Sequence, residues 1–280
     1  TLVEKYLRGR AITVLHGTRS LRFHPRCYYR PEGGGPTETW PAMIAAVTDL
    51  DYRITGAHRT WLNPTGFEPI TLGKAPIETP RRAMGHLLGN AVRFGIARDV
   101  AAAGEGIETM LSLRCVIPGM PMMAALSAAH LAAILFPPAL RRLYIVRDND
   151  RAGDGAMAQL LDRARAARIE AVALSPQDDD LNADLRHFGI DVLQAAIRVQ
   201  LVPEDVARFM RYDGLSGTGA CAAGHTFRSF SISALSFGSK PLIAEGGETS
   251  DSSDARHRSR PMYSRTWQGR DPISRKKSKS

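Results

Sequence analysis

Between Asp99 and Met210, short apolar runs alternate with longer segments of helical period. Val100–Ala103 is an unbroken apolar run that stops at Gly104-Glu105-Gly106, which reads as a buried strand. Ile107 to Val116 follows as a helix, with Met110, Leu111 and Cys115 on one side. Pro121 to Leu126 is a second small-residue strand, and a helix is predicted from Ala128 to Phe136. Leu143–Val146 is the third strand. Ala152 to Arg168 is amphipathic, with Ala156, Leu160, Leu161, Ala164 and Ala167 on the apolar stripe and Asp162, Arg163, Arg165 and Arg168 outward. Glu170 to Leu174 is the fourth strand, and Leu181 to Phe188 a helix closed by Gly189. Strands and helices in this alternation predict right-handed βαβ units. The expected fold is α/β, a four-stranded parallel sheet flanked by helices on both faces.

The preceding residues differ. β-like runs at Met43–Thr48 and Tyr52–Thr60 are separated by turns such as Gly33-Gly34-Gly35-Pro36 and Asn63-Pro64-Thr65-Gly66. They predict a small α+β subdomain over residues 1–95, with its boundary near 85–98, before an α/β domain over 96–210. The net charge of +9 is concentrated at the other end, where residues 211–280 hold 12 Lys and Arg against 6 Asp and Glu. That stretch is rich in Gly and Ser, lacks periodicity and is expected to be a disordered basic tail.

No run of about 18 uncharged apolar residues occurs, so no membrane partner is expected. Cys27, Cys115 and Cys221 form neither a disulfide framework nor a zinc pattern, which fits a cytoplasmic location. A start without Met or signal-peptide layout points to a fragment or a processed chain.

Candidate chemistry lies where the strands end. Asp148 and Asp150 stand one residue apart after the third strand, so their side chains can point to the same side. The first strand ends in Glu105, with Glu108 three residues on, and the fourth is followed by Asp178, Asp179, Asp180, Asn182 and Asp184. In a parallel sheet all these ends share one edge, and ligands bind there. Carboxylates gathered so closely repel one another, and a hard divalent cation removes that conflict. Helix capping is the competing reading, and for Glu108 and Asp184 the two stand level.

Gly104-Glu105-Gly106-Ile107-Glu108-Thr109 and Asp148-Asn149-Asp150-Arg151-Ala152-Gly153 together resemble the Toprim domain of bacterial primases, topoisomerases and related nucleases. The Asp-x-Asp-Arg-Ala-Gly form is similar to that of bacterial-type primases. Asp180-Leu181-Asn182-Ala183-Asp184-Leu185 resembles the third acidic motif of phage- and plasmid-type primases, with Asn182 where a second Asp is common. Tyr6-Leu7-Arg8-Gly9-Arg10, Leu21-Arg22-Phe23-His24-Pro25 and Ile54 to Leu62 resemble the region before Toprim in primases and primase-helicases of phages, plasmids and integrated elements.

The resemblance implies a DNA primase-type nucleotidyltransferase that makes short RNA primers on single-stranded DNA from nucleoside triphosphates. It implies Mg²⁺ or Mn²⁺ held by Glu105, Asp148, Asp150 and Asp180, with Glu105 a further ligand or the base that activates the attacking hydroxyl. Lys74, Arg81, Arg82 and Arg151 are the expected contacts to triphosphate or template, by the usual role of Lys and Arg at phosphates. His58 and Arg59 are placed at the cleft, without a catalytic role. No zinc cluster and no helicase P-loop stands in this sequence, so a replicative helicase is the expected partner. A Toprim nuclease and a non-catalytic nucleic-acid-binding remnant are the alternatives.

Overall fold

The computed structural model describes residues 1–16 and 18–210. The expected tail over 211–280, with Cys221, lies outside them. In chain order the elements are α1 (Leu2–Gly9), β1 (Leu21–Tyr29), β2 (Glu38–Thr48), β3 (Ile54–Trp61), β4 (Arg81–Gly85), β5 (Ala91–Phe94), β6 (Val100–Gly104), α2 (Ile107–Val116), β7 (Met122–Ala124), α3 (Ala128–Ala132), β8 (Arg142–Val146), α4 (Arg151–Ala166), β9 (Glu170–Leu174), α5 (Leu181–Phe188), α6 (Ile190–Arg198) and α7 (Pro203–Phe209).

Four of these strands form the expected parallel sheet, in the order β7-β6-β8-β9. Their alternating side chains divide the interior in two. Val100, Ala102, Tyr144 and Val146 join one core, with Met110, Leu111, Leu185 and Ile197 of α2, α5 and α6. Ala101, Ala103, Leu143 and Ile145 join the other, with Leu131 of α3 and Ala156, Leu160 and Ala164 of α4. A sheet covered on both faces needs apolar side chains pointing both ways, which is why its strands read as unbroken runs.

The antiparallel strands belong to the same sheet. β5 lies against β7 on one side and the end of β2 on the other, and β2 carries β3 and then β4 outward. β1 pairs with the remaining length of β2. Hydrogen bonding therefore runs unbroken from β4 to β9, through a four-residue strand that the hydrophobic pattern did not single out. α1, opened by a capping box between Thr1 and Glu4, packs Val3, Tyr6 and Leu7 onto the β1–β2 surface.

α2 departs from the expected one-sided pattern, since all ten of its residues are buried, Glu108 and Arg114 included. Helix α3 stops at Ala132 rather than Phe136. Beyond it the Leu135 N–H donates to the Gly89 carbonyl at 2.9 Å, a tertiary bond in place of another helical turn. Among the described residues, no helix is long and apolar enough to cross a membrane.

Candidate active site

The carboxyl ends of β6 and β8, the loop after β9, and the face of β3 and β4 enclose a cavity of about 640 Å³. Glu105, Asp148, Asp150 and Asp180 line its acidic side, and Lys74 and Arg81 its basic side. Seven of the eight residues expected from the sequence thus border one cavity, Arg82 with its guanidinium engaged elsewhere. The Asp148–Asp150 loop is tied to the Asp180 loop by the Asn149 N–H, which donates to the Asp179 carbonyl at 2.8 Å.

Two of the acids also cap helices. Asp150 Oδ1 accepts from the Gly153 N–H at the start of α4, and Asp180 Oδ1 from the Ala183 N–H at the start of α5, each at 2.7 Å. Capping and ligand binding are compatible here, because a cap occupies one oxygen of each carboxylate. Asp184 is different. It is buried, and its two oxygens accept from the Gln177 and Asp178 N–H groups at 2.9 and 2.7 Å. Its role is to hold the acidic loop in shape.

Asp148 carries the electrostatic conflict. Burial, followed by the neighbouring charges of Glu105, Asp180 and Asp150, pushes its carboxyl up to about 7, against a partial offset from Arg81. Its Oδ1 is buried with no hydrogen-bond partner. Glu105 is likewise raised, first by burial and then by Asp150. Among the described residues, no three His, Cys, Asp or Glu side chains are gathered as a metal-binding group. The chemistry of the four carboxylates nevertheless fits a hard cation. They face one cavity, repel one another, and include an oxygen that nothing satisfies.

The basic side follows from strand alternation. On β3 and β4, Thr60 pairs with Arg81 and Arg59 with Arg82, so His58, Thr60 and Arg81 share the cavity face. Arg59 and Arg82 stand on the opposite face. Arg82 borders the cavity, but its guanidinium donates to the Arg30 carbonyl at 2.6 Å, lies 3.4 Å from Glu32 Oε1 and stacks over Tyr29. Arg151, exposed at the start of α4, does not line the cavity. Burial, then the charge of Arg81, lowers Lys74 to about 8. Burial also lowers His58 to about 4, so its ring is neutral near pH 7.

Several residues that were not assigned to the site shape it. Tyr6 Oη donates to Glu108 Oε1 at 2.5 Å, and an Arg10 N–H to Asn182 Oδ1 at 2.5 Å. Asn182 Nδ2 returns a bond to the Arg10 carbonyl at 2.9 Å and reaches Ser112 Oγ at 3.1 Å. Burial alone would raise Glu108. Arg10, the Tyr6 hydroxyl, Arg81 and Lys74 outweigh it and hold the carboxyl down to about 2. Glu108 is therefore an ionised anchor that joins α1 to α2, and Asn182 joins α1 to α5. Arg10, His130 and Arg186 border the cavity too.

Gly153 fixes the approach of α4 to the third strand end. A Cβ there would lie 2.3 Å from the Asp148 carbonyl oxygen, so Ala would displace the backbone that presents Asp148. Gly153→Ala should lower any activity that depends on Asp148 by roughly 10²-fold, as ångström-scale misplacement does. Gly155→Ala, in open space on the same helix, serves as control in parallel rate measurements.

This arrangement defines an α/β protein with an acidic edge facing a basic wall. Residues 100–191 match the family model described as Toprim domain. Residues 1–94 match a family described as a domain of unknown function, DUF7146. No curated protein matches. Similar solved structures include the primase fragment of the bacteriophage T7 primase-helicase, at 12% identity and TM-score 0.41 over 57% of this chain and 63% of that one. The Aquifex aeolicus primase (zinc binding and RNA polymerase domains) is 16% identical at TM-score 0.48, over 73% of this chain and 57% of that one. A DNA primase domain from Pseudomonas aeruginosa is 16% identical at TM-score 0.47, over 71% and 72%. The chain thus spans less than two thirds of the T7 and Aquifex chains.

Proposed function

We propose that the cavity is the active site of a DNA primase-type nucleotidyltransferase that joins ribonucleotides on a single-stranded DNA template. The observation that carries the reading is the opposition of Glu105, Asp148, Asp150 and Asp180 to Lys74 and Arg81 across one cavity. Asp148 and Asp150, with Asp180, would hold Mg²⁺ or Mn²⁺. Such an ion supplies charge neutralisation for the phosphates and for the pyrophosphate that leaves.

The chain's own groups have separable tasks. Lys74 and Arg81 draw the triphosphate against the acidic edge by direct charge attraction. Glu105 is raised by burial and by Asp150, which suits it to take the proton of the attacking 3′-hydroxyl while Asp148, Asp150 and Asp180 hold the ion. As that oxygen bonds to the α-phosphorus, the bond to the bridging oxygen breaks and pyrophosphate departs. His58, buried on β3 and neutral, keeps positive charge off the floor of the site.

Incubation with single-stranded DNA, labelled ribonucleotides and Mg²⁺ tests the reading. Labelled oligomers that require both template and metal are the expected product. Cleaved DNA in their place would make the protein a nuclease, and binding with neither product would make it a non-catalytic nucleic-acid-binding protein.

A further inference from the structure

Charge accounts for most of the cavity wall, but not for one corner of it. The sheet sets the carboxyl ends of the parallel strands in the order β7, β6, β8, β9. Asp148 and Asp150 follow β8 and Asp180 follows β9, so three of the four acids lie to one side of Glu105, which follows β6. On its other side stands the end of β7. There Leu126, Ser127 and His130 line the cavity, with no acid, lysine or arginine among them.

This corner is fastened to the backbone of Glu105 itself. The Ala125 N–H donates to the Gly104 carbonyl at 2.9 Å and the Leu126 N–H to the Glu105 carbonyl at 2.8 Å, which carries the β6–β7 pairing past the ends of both strands. Leu126 has a φ of +79°, a left-handed conformation that a bulky side chain rarely adopts. Such strain persists only where the surroundings impose it, and it gathers at ligand clamps. Leu126 packs in part against the core and in part borders the cavity. Ser127 Oγ then accepts from the His130 N–H at 3.2 Å, which opens α3 and holds His130 on the same wall. His130 Nδ1 is buried with no partner, so Nε2 is the ring nitrogen left to meet a ligand.

The phosphates and the ion have their own groups, and an uncharged wall beside the base suits a sugar. The nucleotide whose 3′-hydroxyl gives its proton to Glu105 must set its ribose against whatever flanks Glu105 on the side away from the ion. We propose that the Leu126–His130 corner seats this ribose, with Leu126 against its carbon face and His130 Nε2 hydrogen-bonded to its 2′-hydroxyl. The 2′-oxygen sits on the carbon next to the reacting one, so a contact there orients the attacking oxygen. An imidazole nitrogen serves a hydroxyl as donor or acceptor according to its tautomer. A deoxyribose leaves that nitrogen unpaired, which is how a polar site distinguishes a hydroxyl from its absence. The corner therefore favours growth of an end that carries ribose. The inference rests on the reading of the cavity as a nucleotidyltransferase site with Glu105 as its base.

The test is extension by one labelled ribonucleotide, in Mg²⁺, of a short RNA annealed to a DNA template, its 3′ end either ribose or 2′-deoxyribose. The parent should extend the ribose end with a kcat/KM roughly tenfold higher, the scale of one hydrogen bond. His130→Ala should bring the ribose end to within about twofold of the deoxyribose end, and leave the deoxyribose end unchanged. His130→Gln, whose amide extends toward the place of Nε2, should keep part of the preference. Leu126→Gly should raise KM for both ends alike, and an unchanged KM would remove Leu126 from the seat. Should His130→Ala melt below the parent, the ratio of the two ends within that variant still reads the contact, because partial unfolding slows both equally. An equal loss on both ends, or an undiminished preference, would overturn the role of His130, and a parent indifferent to the sugar would overturn the corner as its seat. Extension of neither end by the parent would instead overturn the nucleotidyltransferase reading itself.

Discussion

Asp148→Asn should make the metal-free protein more stable at pH 8 while abolishing primer synthesis. The stability half follows from the direction of the shift. The carboxyl moves from an ordinary value of 3.8 to about 7, because burial and three neighbouring acids disfavour its charge. Between those values the native state holds a proton that the unfolded chain has released, so stability falls as pH rises from about 4 to 7, and the full cost persists above it. Asn removes the charge at nearly constant shape. Its gain in melting temperature in EDTA should be greatest above pH 7 and vanish toward pH 4.

Divalent metal should reverse the order. Mg²⁺ stabilises a native state that binds it, so the parent should melt higher on titration while Asp148→Asn barely moves. Oligomer synthesis should fall on the order of 10³-fold in Asp148→Asn, and at least as far in Asp148→Ala/Asp150→Ala, by analogy with the loss of a preorganised electrostatic group. Scanning calorimetry and the template assay read the two halves separately. If Asp148→Asn melted lower than the parent in EDTA at pH 8, charge crowding at the strand ends would be the wrong account. If the double variant made primers at the parent rate, the metal site would be.

What the sequence disclosed was governed by range. The runs Val100–Ala103 and Leu143–Val146 were legible because a strand buried on both faces is apolar at every position. The acidic edge was legible because strand ends in a parallel sheet must share a side. β5 was hidden: four residues, Ala91–Phe94, are too few to establish a period, and they take their role from partners on β2 and β7. The anchors of the site were hidden for the same reason. Tyr6 and Glu108 are 102 residues apart and Arg10 and Asn182 172, so no local spacing announces either contact. Arg81 and Arg82 were each expected to contact triphosphate or template. Adjacent residues in a strand point oppositely, and once β4 spans Arg81–Gly85 only Arg81 can turn its guanidinium into the cavity.

The far end of the parallel sheet should prove as critical to stability as the acidic edge is to chemistry. Asp205, 2% exposed in the first turn of α7, accepts from Arg142 and from Tyr144 Oη, each at 2.7 Å. Arg142 also meets Glu170 at 2.8 Å and Glu204 at 2.6 Å, and Tyr144 Oη in turn accepts from the Val202 N–H at 3.1 Å. One carboxylate thus fastens the start of β8 to α7. Burial works against the charge on Arg142, but Asp205, Glu204 and Glu170 overcome it and raise the guanidinium. Asp205→Ala would leave the Tyr144 hydroxyl without its acceptor and Arg142 with only the more exposed Glu170 and Glu204, and should cost about 3 kcal/mol. For a domain of this size that lowers the melting temperature by roughly 10 °C. Asp205→Asn, which retains an acceptor for Tyr144, should lose less. Asp178→Ala, which breaks an ion pair with the half-exposed His187, should lose least of the three. Urea or thermal denaturation of the three variants ranks them directly. A loss at Asp205→Ala no larger than that at Asp178→Ala would mean that α7 is not fastened through this carboxylate.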